Sequence, residues 1–371
     1  MLVELAEGTT VAGVFTRSLT SAAPVDWCRS ILKEHSARAL LVHAGNANAF
    51  TGKRGRSLVN DAVKEVAAVI ECRPELVYVA ATGIIGEPVP EQKVLKNIRM
   101  VHEGLKVDNW ELAATSIMTT DTYPKFASAI ASINSEPVTI SGFAKGAGMI
   151  APDMGTMLCF IFTDACIRGE DLQGVLNRAN LRTFSNISID GDTSTNDTLL
   201  LFATGKAISS EAGASEDFDL GDFEEKLTGV LMDLALQVVK DGEGIEKFLS
   251  VTVKGARTES DAHCIARSIA EAPLVKSAMG GSSPNWGRIV MAVGKAGPFI
   301  DKNRLCVWLG SHQVAREGDP NDDVDLNALL EYMLGPEIDI TVDVGVGSKS
   351  ATMWTSDLTV AYVEINASYK T

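Results

Sequence analysis

One part of the chain combines glycines, a proline and a threonine directly before an apolar run: Lys145-Gly146-Ala147-Gly148-Met149-Ile150-Ala151-Pro152-Asp153-Met154-Gly155-Thr156-Met157-Leu158. This composition predicts a long irregular loop over 141–156, followed by a buried strand over 157–162. A small residue followed by threonine at such a junction suits a self-cleavage that creates an N-terminal threonine. The freed α-amine has a pKa of about 7.7–8.0, so it takes the proton of its own Oγ at neutral pH. From the residues alone, Gly-Thr before a strand is also common as plain structure, and both interpretations stay open.

Helical and strand patterns alternate on both sides of this stretch. Apolar spacing predicts helices over 58–70, 223–238, 261–270 and 326–333, and strands over 39–43, 76–80, 248–253, 288–293, 305–309, 338–344 and 358–365. Ser57 is the predicted N-cap of the first helix, Pro88 and Pro90 open another, and 209–222 is a predicted surface loop. Because helices and alternating strands are mixed throughout, α+β layers are favoured over a purely parallel, doubly wound sheet.

Length and charge exclude several classes of protein. The 371 residues suffice for about two or three domains, and 46% hydrophobic with 22% charged residues is typical of a globular protein. A net charge of -15 repels phosphate backbones and anionic lipids, so neither nucleic acid nor a membrane is an expected partner. The N-terminus is acidic where a signal peptide is basic, and no apolar run approaches the ~20 residues of a membrane span. With six cysteines and no C-x-x-C motif, a cytoplasmic location is expected.

Common catalytic and metal-binding motifs do not occur in the sequence. The five histidines have no metal-pair spacing, so no metal site is predicted. Neither glycine cluster, 142–148 or 345–350, matches the P-loop pattern, and no G-x-S-x-G element is present. The commonest serine-hydrolase signature is therefore absent, and a freed N-terminal threonine would explain how acyl chemistry proceeds without a histidine.

Longer stretches of the sequence resemble the glutamate N-acetyltransferase family of arginine biosynthesis, also called ornithine acetyltransferases. The resemblance runs from Val11 to Thr371, and its matches occur in one order along the chain. The matching stretches are 11–16, 46–52, 81–86, 118–122, 145–158, 190–197, 241–244, 284–288 and 357–359. So many ordered matches identify the chain as a member of this family or a close paralogue.

The resemblance implies a fold and a division of the chain. The expected fold is α+β, a layered α/β sandwich of the ornithine acetyltransferase and N-terminal-nucleophile aminopeptidase type, with a smaller C-terminal α+β domain. Self-cleavage would yield an alpha chain, 1–155, and a beta chain, 156–371. The beta chain would complete the sandwich with 156–243 and form the C-terminal domain with 244–371. Two alpha and two beta chains are expected to assemble as a heterotetramer.

The resemblance also implies an activity and its residues. The expected enzyme moves the acetyl group of N2-acetylornithine to glutamate through an acetyl-Thr156 intermediate, after cleavage between Gly155 and Thr156. Thr82 and Gly83 are the implied oxyanion-stabilising pair. The implied substrate-binding positions are Thr119, Lys145, Thr156, Glu243, Asn366 and Thr371. No cofactor or metal is implied, and acetyl-CoA stays open as a second acetyl donor.

Two departures from the family and two rival functions qualify this expectation. Gly155 stands where the family usually has alanine, which leaves the rate of cleavage in question. The lead before Val11 is short, which leaves the edge strand there in question. One rival is an N-terminal-nucleophile amidase or aminopeptidase in which water resolves the acyl-enzyme. The other is a non-catalytic binding protein with an inert Thr156. The charged pair Lys145 and Glu243 favours a second amino-acid substrate over water.

Overall fold

The chain folds into two compact units. The computed structural model describes residues 1–151, 157–207 and 219–368. Of the described residues, 1–185 and 192–238 belong to the first unit, and 186–191 with 239–368 belong to the second. Three predicted site residues, Gly155, Thr156 and Thr371, lie outside the described residues. The described part of the chain contains no helix long and apolar enough to cross a membrane.

The first unit contains two sheets and the helices around them. Its strands are β1 (Leu2–Glu4), β2 (Thr10–Phe15), β3 (Ala39–Asn46), β4 (Val77–Ile84), β5 (Lys125–Ile133), β6 (Glu136–Lys145), β7 (Leu158–Thr163) and β8 (Thr198–Ala203). Its helices are α1 (Ala23–Ile31), α2 (Gly52–Val69), α3 (Glu91–Leu95), α4 (Ile98–Glu103), α5 (Trp110–Thr115), α6 (Gly169–Leu181) and α7 (Gly221–Lys240). The strand orders are β1-β3-β4 and β2-β8-β7-β6-β5. The pairs β3–β4 and β7–β8 are parallel, and the other pairs are antiparallel.

Strand β4 shows how the layers form. Its side chains alternate between two apolar clusters, because successive residues of a strand point to opposite faces. Tyr78 and Ala80 face a core shared with the five-stranded sheet, where the Tyr78 ring meets Phe202 edge-on with centroids 6.1 Å apart. Val77 and Val79 face the other way, into a cluster with α2. The sandwich is therefore built on strands that are buried on both faces, and this accounts for their continuous apolar sequence.

The second unit is a separate α+β domain. Its strands are β9 (Phe248–Ala256), β10 (Cys306–Leu309), β11 (His312–Arg316), β12 (Asp319–Pro320), β13 (Glu337–Asp343) and β14 (Lys349–Ser356). Its helices are α8 (Glu259–Ala270), α9 (Pro273–Gly280), α10 (Trp286–Gly294), α11 (Leu326–Met333) and α12 (Val360–Ser368). The strand order is β12-β11-β10-β13-β9-β14, with only β9–β13 parallel among these described pairs. Its own apolar core, which includes Val251, Ile265 and Ile340, lies on this sheet.

The structure confirms the α+β class and most predicted elements. The periodic segments 58–70, 223–238, 261–270 and 326–333 lie in or largely within α2, α7, α8 and α11. Pro90 immediately precedes α3, as predicted. Strand β2 is the edge of the five-stranded sheet and pairs with β8 over the full length of both strands.

Several local predictions are wrong. Residues 288–293 form part of helix α10, where Ile289, Ala292 and Val293 are buried at helical spacing. Residues 358–365 are not a strand: β14 ends at Ser356 and α12 begins at Val360. None of the residues of α12 is buried, so its apolar residues do not form the core-facing stripe by which a helix is recognised in a sequence. The prediction of a strand from these residues was therefore wrong.

The first turn of α2 and the supposed loop after residue 141 also differ from prediction. Helix α2 begins at Gly52, so Ser57 lies inside it and is not its N-cap. Strand β6 continues to Lys145, so 141–145 is not a loop. Gly142 is needed for strand packing: a Cβ there would lie 2.3 Å from Ile161 Cδ1 and 2.7 Å from the carbonyl oxygen of Phe160.

Candidate active site

Lys145 is the centre of a buried polar cluster in the first unit. It ends β6, and its side chain is 3% exposed. Its Nζ donates to Thr119 Oγ1 at 2.8 Å and to Thr82 Oγ1 at 3.3 Å. An ammonium group only donates hydrogen bonds, so both hydroxyl oxygens act as acceptors here and each retains its own hydrogen for a further acceptor. One cation therefore orients two hydroxyl donors.

Asp121 supplies the negative charge of this cluster. Its side chain is fully buried and lies 2.8 Å from Lys125 Nζ and 3.5 Å from Lys145 Nζ. The backbone N–H groups of Gly146 and Thr119 donate to it at 2.6 Å and 3.2 Å. Burial alone would raise the pKa of Asp121, but the two lysines and these hydrogen bonds outweigh it and lower the pKa to about 2. Asp121 is thus a permanent carboxylate that fixes Lys145.

Thr82 and Gly83 lie near the end of β4, against the neighbouring strand β3. Thr82 is buried, and Gly83 has φ +124°, a conformation that favours glycine. A Cβ at Gly83 would lie 2.3 Å from the carbonyl carbon of Gly45 and 2.5 Å from the backbone nitrogen of Asn46. The two strands approach so closely that only glycine fits. The Thr-Gly pair is therefore held on a rigid sheet.

The residue after the predicted nucleophile is anchored to β8. The Met157 N–H donates to Asp197 Oδ1 at 3.2 Å, and the Met157 carbonyl accepts from the Thr198 N–H at 3.1 Å. Burial raises the pKa of Asp197 well above its ordinary value, and the Met157 amide, the Thr16 hydroxyl and the Lys145 charge lower it only in part. The chain directly following Thr156 therefore begins β7 under tight restraint.

In the second unit, Glu243 and Asn366 lie together. Asn366 Nδ2 donates to Glu243 Oε2 at 2.8 Å; Asn366 is exposed and Glu243 is half-buried. Asp357 fixes the backbone that follows Glu243, because its Oδ1 accepts the N–H of Glu246 at 3.0 Å. The structure thus brings together Thr82, Thr119 and Lys145 in the first unit, and Glu243 with Asn366 in the second.

Sequence reasoning assigned no role to Asp121, Lys125, Asp197 or Asn196; the last of these donates to the carbonyl oxygens of Ala47 and Ala81. Asp121, Asn196 and Asp197 lie inside two stretches that carry the family resemblance, 118–122 and 190–197, and that was the available signal. Among the described residues, no group of three or more His, Cys, Asp or Glu side chains is arranged to hold a metal ion.

Comparison with known proteins decides the family. A sequence model of the ArgJ family matches residues 1–371. This chain belongs to the ArgJ family. The resemblance noted from the sequence stretches is therefore confirmed, and with it an enzyme of the glutamate N-acetyltransferase type.

Individual relatives agree along nearly the whole chain. The arginine biosynthesis bifunctional protein ArgJ of Brucella suis biovar 1 (strain 1330) is 49% identical over 364 residues, covering 97% of this chain and 88% of that protein. The ArgJ protein of Caulobacter vibrioides is 48% identical over 373 residues, covering 100% and 93%. The crystal structure of ArgJ from Bacillus halodurans is similar with a TM-score of 0.52 and 33% identity, covering 57% of this chain and 98% of that one. The ornithine acetyltransferase fold is thus confirmed.

Proposed function

We propose that the protein catalyses acetyl transfer from N2-acetylornithine to glutamate through an acetyl-Thr156 intermediate. Membership of the ArgJ family supports the reaction class, and its relatives carry the name arginine biosynthesis bifunctional protein. The observation that carries the proposal is the buried cluster in which Lys145 orients the hydroxyl groups of Thr82 and Thr119.

The first half-reaction needs a nucleophile, a base and an oxyanion site. After cleavage, the α-amine of Thr156 takes the Oγ proton while Oγ attacks the acetyl carbonyl. The Thr82 hydroxyl, whose oxygen already accepts from Lys145, donates to the developing oxyanion together with the Gly83 N–H. The C–N bond to ornithine then breaks, and the proton passes from the Thr156 amine to the leaving amine. Glutamate reverses these steps: its amine attacks the ester carbonyl, and Oγ recovers the proton.

Each of the two clusters contains charged side chains of the kind that recognise amino acids. Lys125 and Lys145 are both buried, and Asp121 contacts both of them. The ammonium group of Lys145 would attract a substrate carboxylate, because hydrogen bonds between an ammonium group and a carboxylate are charge-assisted and strong. Glu243, oriented by Asn366, offers the opposite charge for a substrate amine. Thr371 is proposed to contribute to substrate binding, as the family resemblance implies.

Maturation and assembly follow the family pattern in this proposal. Cleavage between Gly155 and Thr156 produces chains 1–155 and 156–371, with 156–243 completing the sandwich and 244–371 forming the C-terminal domain. Two copies of each chain assemble as a heterotetramer in the cytoplasm. The reaction requires no cofactor, and acetyl-CoA remains an alternative acetyl donor to be tested.

Two measurements test this function. Intact mass spectrometry should find chains 1–155 and 156–371 in the wild type, and only the whole chain in Thr156→Ala. Initial rates with both amino-acid substrates varied should give parallel double-reciprocal lines, since one site holds the acetyl group between them. A wild-type protein that stays whole contradicts the mechanism, and intersecting lines indicate direct transfer. Release of acetate at the same rate without glutamate would indicate a hydrolase instead.

A further inference from the structure

The segment Ser194–Thr198, which leads into β8, is polar and yet entirely buried. Each of its five residues is at most 9% exposed, and Asp197 is 0% exposed. Asparagine and aspartate are mostly found at protein surfaces, and buried polar groups require hydrogen-bond partners. The partners of Asn196 and Asp197 therefore show what this segment holds in place.

Asn196 binds strand β4, which carries Thr82 and Gly83, and the residue that follows the neighbouring strand β3. Its Nδ2 donates to the carbonyl oxygen of Ala81 at 2.9 Å and to that of Ala47 at 2.7 Å. Ala81 directly precedes Thr82, and Ala47 directly follows β3. The orientation of the Asn196 amide is fixed in turn by the Thr195 hydroxyl, which donates to Asn196 Oδ1 at 2.6 Å. Both amide hydrogens are thus used on the backbone next to the Thr-Gly pair.

Asp197 binds the other sheet. Its Oδ1 accepts the N–H of Met157 at 3.2 Å, and its own carbonyl accepts the Thr16 N–H at 3.0 Å. Met157 is covalently attached to Thr156. Two adjacent side chains therefore reach in opposite senses, one to the three-stranded sheet with Thr82 and Gly83, the other to the start of β7.

We propose that Asn196 and Asp197 are a positioning pair that sets the distance between the Thr156 nucleophile and the oxyanion-stabilising groups. This inference rests on the proposed function, in which Thr156 attacks and Thr82 with Gly83 stabilise the oxyanion. Neither residue of the pair touches the substrate: Asn196 acts through Ala81, and Asp197 acts through Met157. The pair belongs to one segment, so it resists displacement of Ala81 and Met157, the chain neighbours of Thr82 and Thr156, relative to one another.

Asn196→Ala tests the oxyanion side of the pair. It should lower kcat about 10- to 100-fold with KM nearly unchanged, because a misplacement of about 1 Å costs up to about 100-fold in rate. The matched control is Asn180→Ala: Asn180 is also buried, and its Nδ2 donates to Ser185 Oγ at 3.0 Å within α6 and the turn after it. The control should keep the wild-type kcat. An Asn196→Ala variant that changes only KM, or only stability, overturns the proposal.

A double-mutant cycle separates positioning from general structural support. If Asn196 positions Thr82 by way of Ala81, then adding Asn196→Ala to a Thr82→Ala background should lower kcat by less than about 3-fold. The reason is that the hydrogen bond from the Thr82 hydroxyl to the oxyanion is already lost in that background. Equal effects of Asn196→Ala in both backgrounds would overturn the assignment. All variants are measured on material confirmed as fully cleaved.

Asp197 is tested by whether a neutral acceptor rescues it. Asp197→Asn retains an oxygen for the Met157 N–H and should keep kcat within about 3-fold of wild type, whereas Asp197→Ala should lower it by about 10- to 100-fold. The control is Asp164, whose Oδ1 accepts the Thr139 N–H at 2.7 Å just beyond the opposite end of β7; Asp164→Ala should leave kcat unchanged. Equal losses in the two Asp197 variants would overturn the proposal.

Hydrogen exchange distinguishes failure of this inference from failure of the proposed function. The Met157 amide should exchange faster in Asp197→Ala than in wild type and Asp197→Asn, whatever reaction the enzyme performs. A wild type that transfers no acetyl group would contradict the proposed function alone. Unchanged exchange at Met157 would contradict the positioning role alone.

Discussion

Asp121→Asn is the most informative single substitution in the first unit. Asp121 is fully buried between Lys125 Nζ at 2.8 Å and Lys145 Nζ at 3.5 Å. The lowering of its pKa from 3.8 to about 2 corresponds to roughly 2 kcal/mol of stability, since one pKa unit is about 1.4 kcal/mol. Removing the charge also leaves two buried ammonium groups without this partner, and breaking a buried pair costs about 3–5 kcal/mol. We therefore expect Asp121→Asn to lose about 3–5 kcal/mol at neutral pH.

The pH dependence of this loss follows from the direction of the shift. A lowered folded-state pKa gives stability that is fully present above the unfolded value, about 4, and that is lost as the pH falls toward 2. The difference in the free energy of unfolding between wild type and Asp121→Asn should therefore be constant above about pH 5 and should decrease from about pH 4 downward.

Urea denaturation of the uncleaved Thr156→Ala protein, with and without the Asp121 substitution, measures both quantities. Asp164→Asn is the control, because Asp164 accepts a backbone N–H from Thr139 at 2.7 Å without two buried lysines beside it. The control should lose less than about 1.5 kcal/mol, the ordinary contribution of one hydrogen bond. A loss below 1 kcal/mol in Asp121→Asn, or a gap independent of pH, would refute the argument.

Three further outcomes are expected. Gly83→Ala should destabilise the protein by about 2–4 kcal/mol in a thermal or urea melt, since its Cβ meets the backbone of β3 at a positive φ. Gly229→Ala, in open space on α7, should instead stabilise the protein by up to about 1 kcal/mol. Equal stability changes in Gly83→Ala and Gly229→Ala would contradict the claim that only glycine fits at position 83. Thr82→Ala should lower kcat about 100- to 1000-fold in cleaved enzyme while Thr82→Ser retains most of it, because only the hydroxyl donor matters; a wild-type kcat in Thr82→Ala would make Thr82 an ordinary strand residue. Glu243→Gln keeps the contact with Asn366 but loses the charge, so it should chiefly raise the KM for N2-acetylornithine; normal kinetics would disprove that role.

The sequence predicted long periodic helices better than short apolar runs. In α7 the apolar residues recur over several turns, and the helix lies where that period placed it. The apolar run at 288–293 is too short to show a period, and a buried strand and a buried helix segment have the same composition over such a length. Gly142 shows a related difficulty: its packing against Ile161 of the neighbouring strand depends on a partner brought close by the fold, so its glycine looked like a loop signal.

The residues missed at the site share one physical property. Asp121 and Asn196 act on groups far away in sequence: Asp121 on Lys145, and Asn196 on the carbonyl oxygens of Ala47 and Ala81. Nothing local marks such residues, because a buried aspartate or asparagine is indistinguishable in sequence from an exposed one. By contrast, Thr82 and Lys145 were proposed as site residues from family motifs, and in the structure Lys145 Nζ lies 3.3 Å from Thr82 Oγ1.

The order of strands in the five-stranded sheet gives the proposed cleavage a topological meaning. Strand β7 pairs with β6 on one side and β8 on the other, and β8 pairs with β2. Once the bond before Thr156 is cut, β7 and β8 belong to the second polypeptide and are enclosed on both sides by strands of the first. The five-stranded sheet then consists of strands from both polypeptides, and neither polypeptide can form it alone. Separation of the two polypeptides would require the core of the first unit to unfold. Refolding would then require the two polypeptides to meet in solution, which is a bimolecular step. Cleavage of one peptide bond would therefore make unfolding effectively irreversible, and the cleaved protein would be stabilised kinetically.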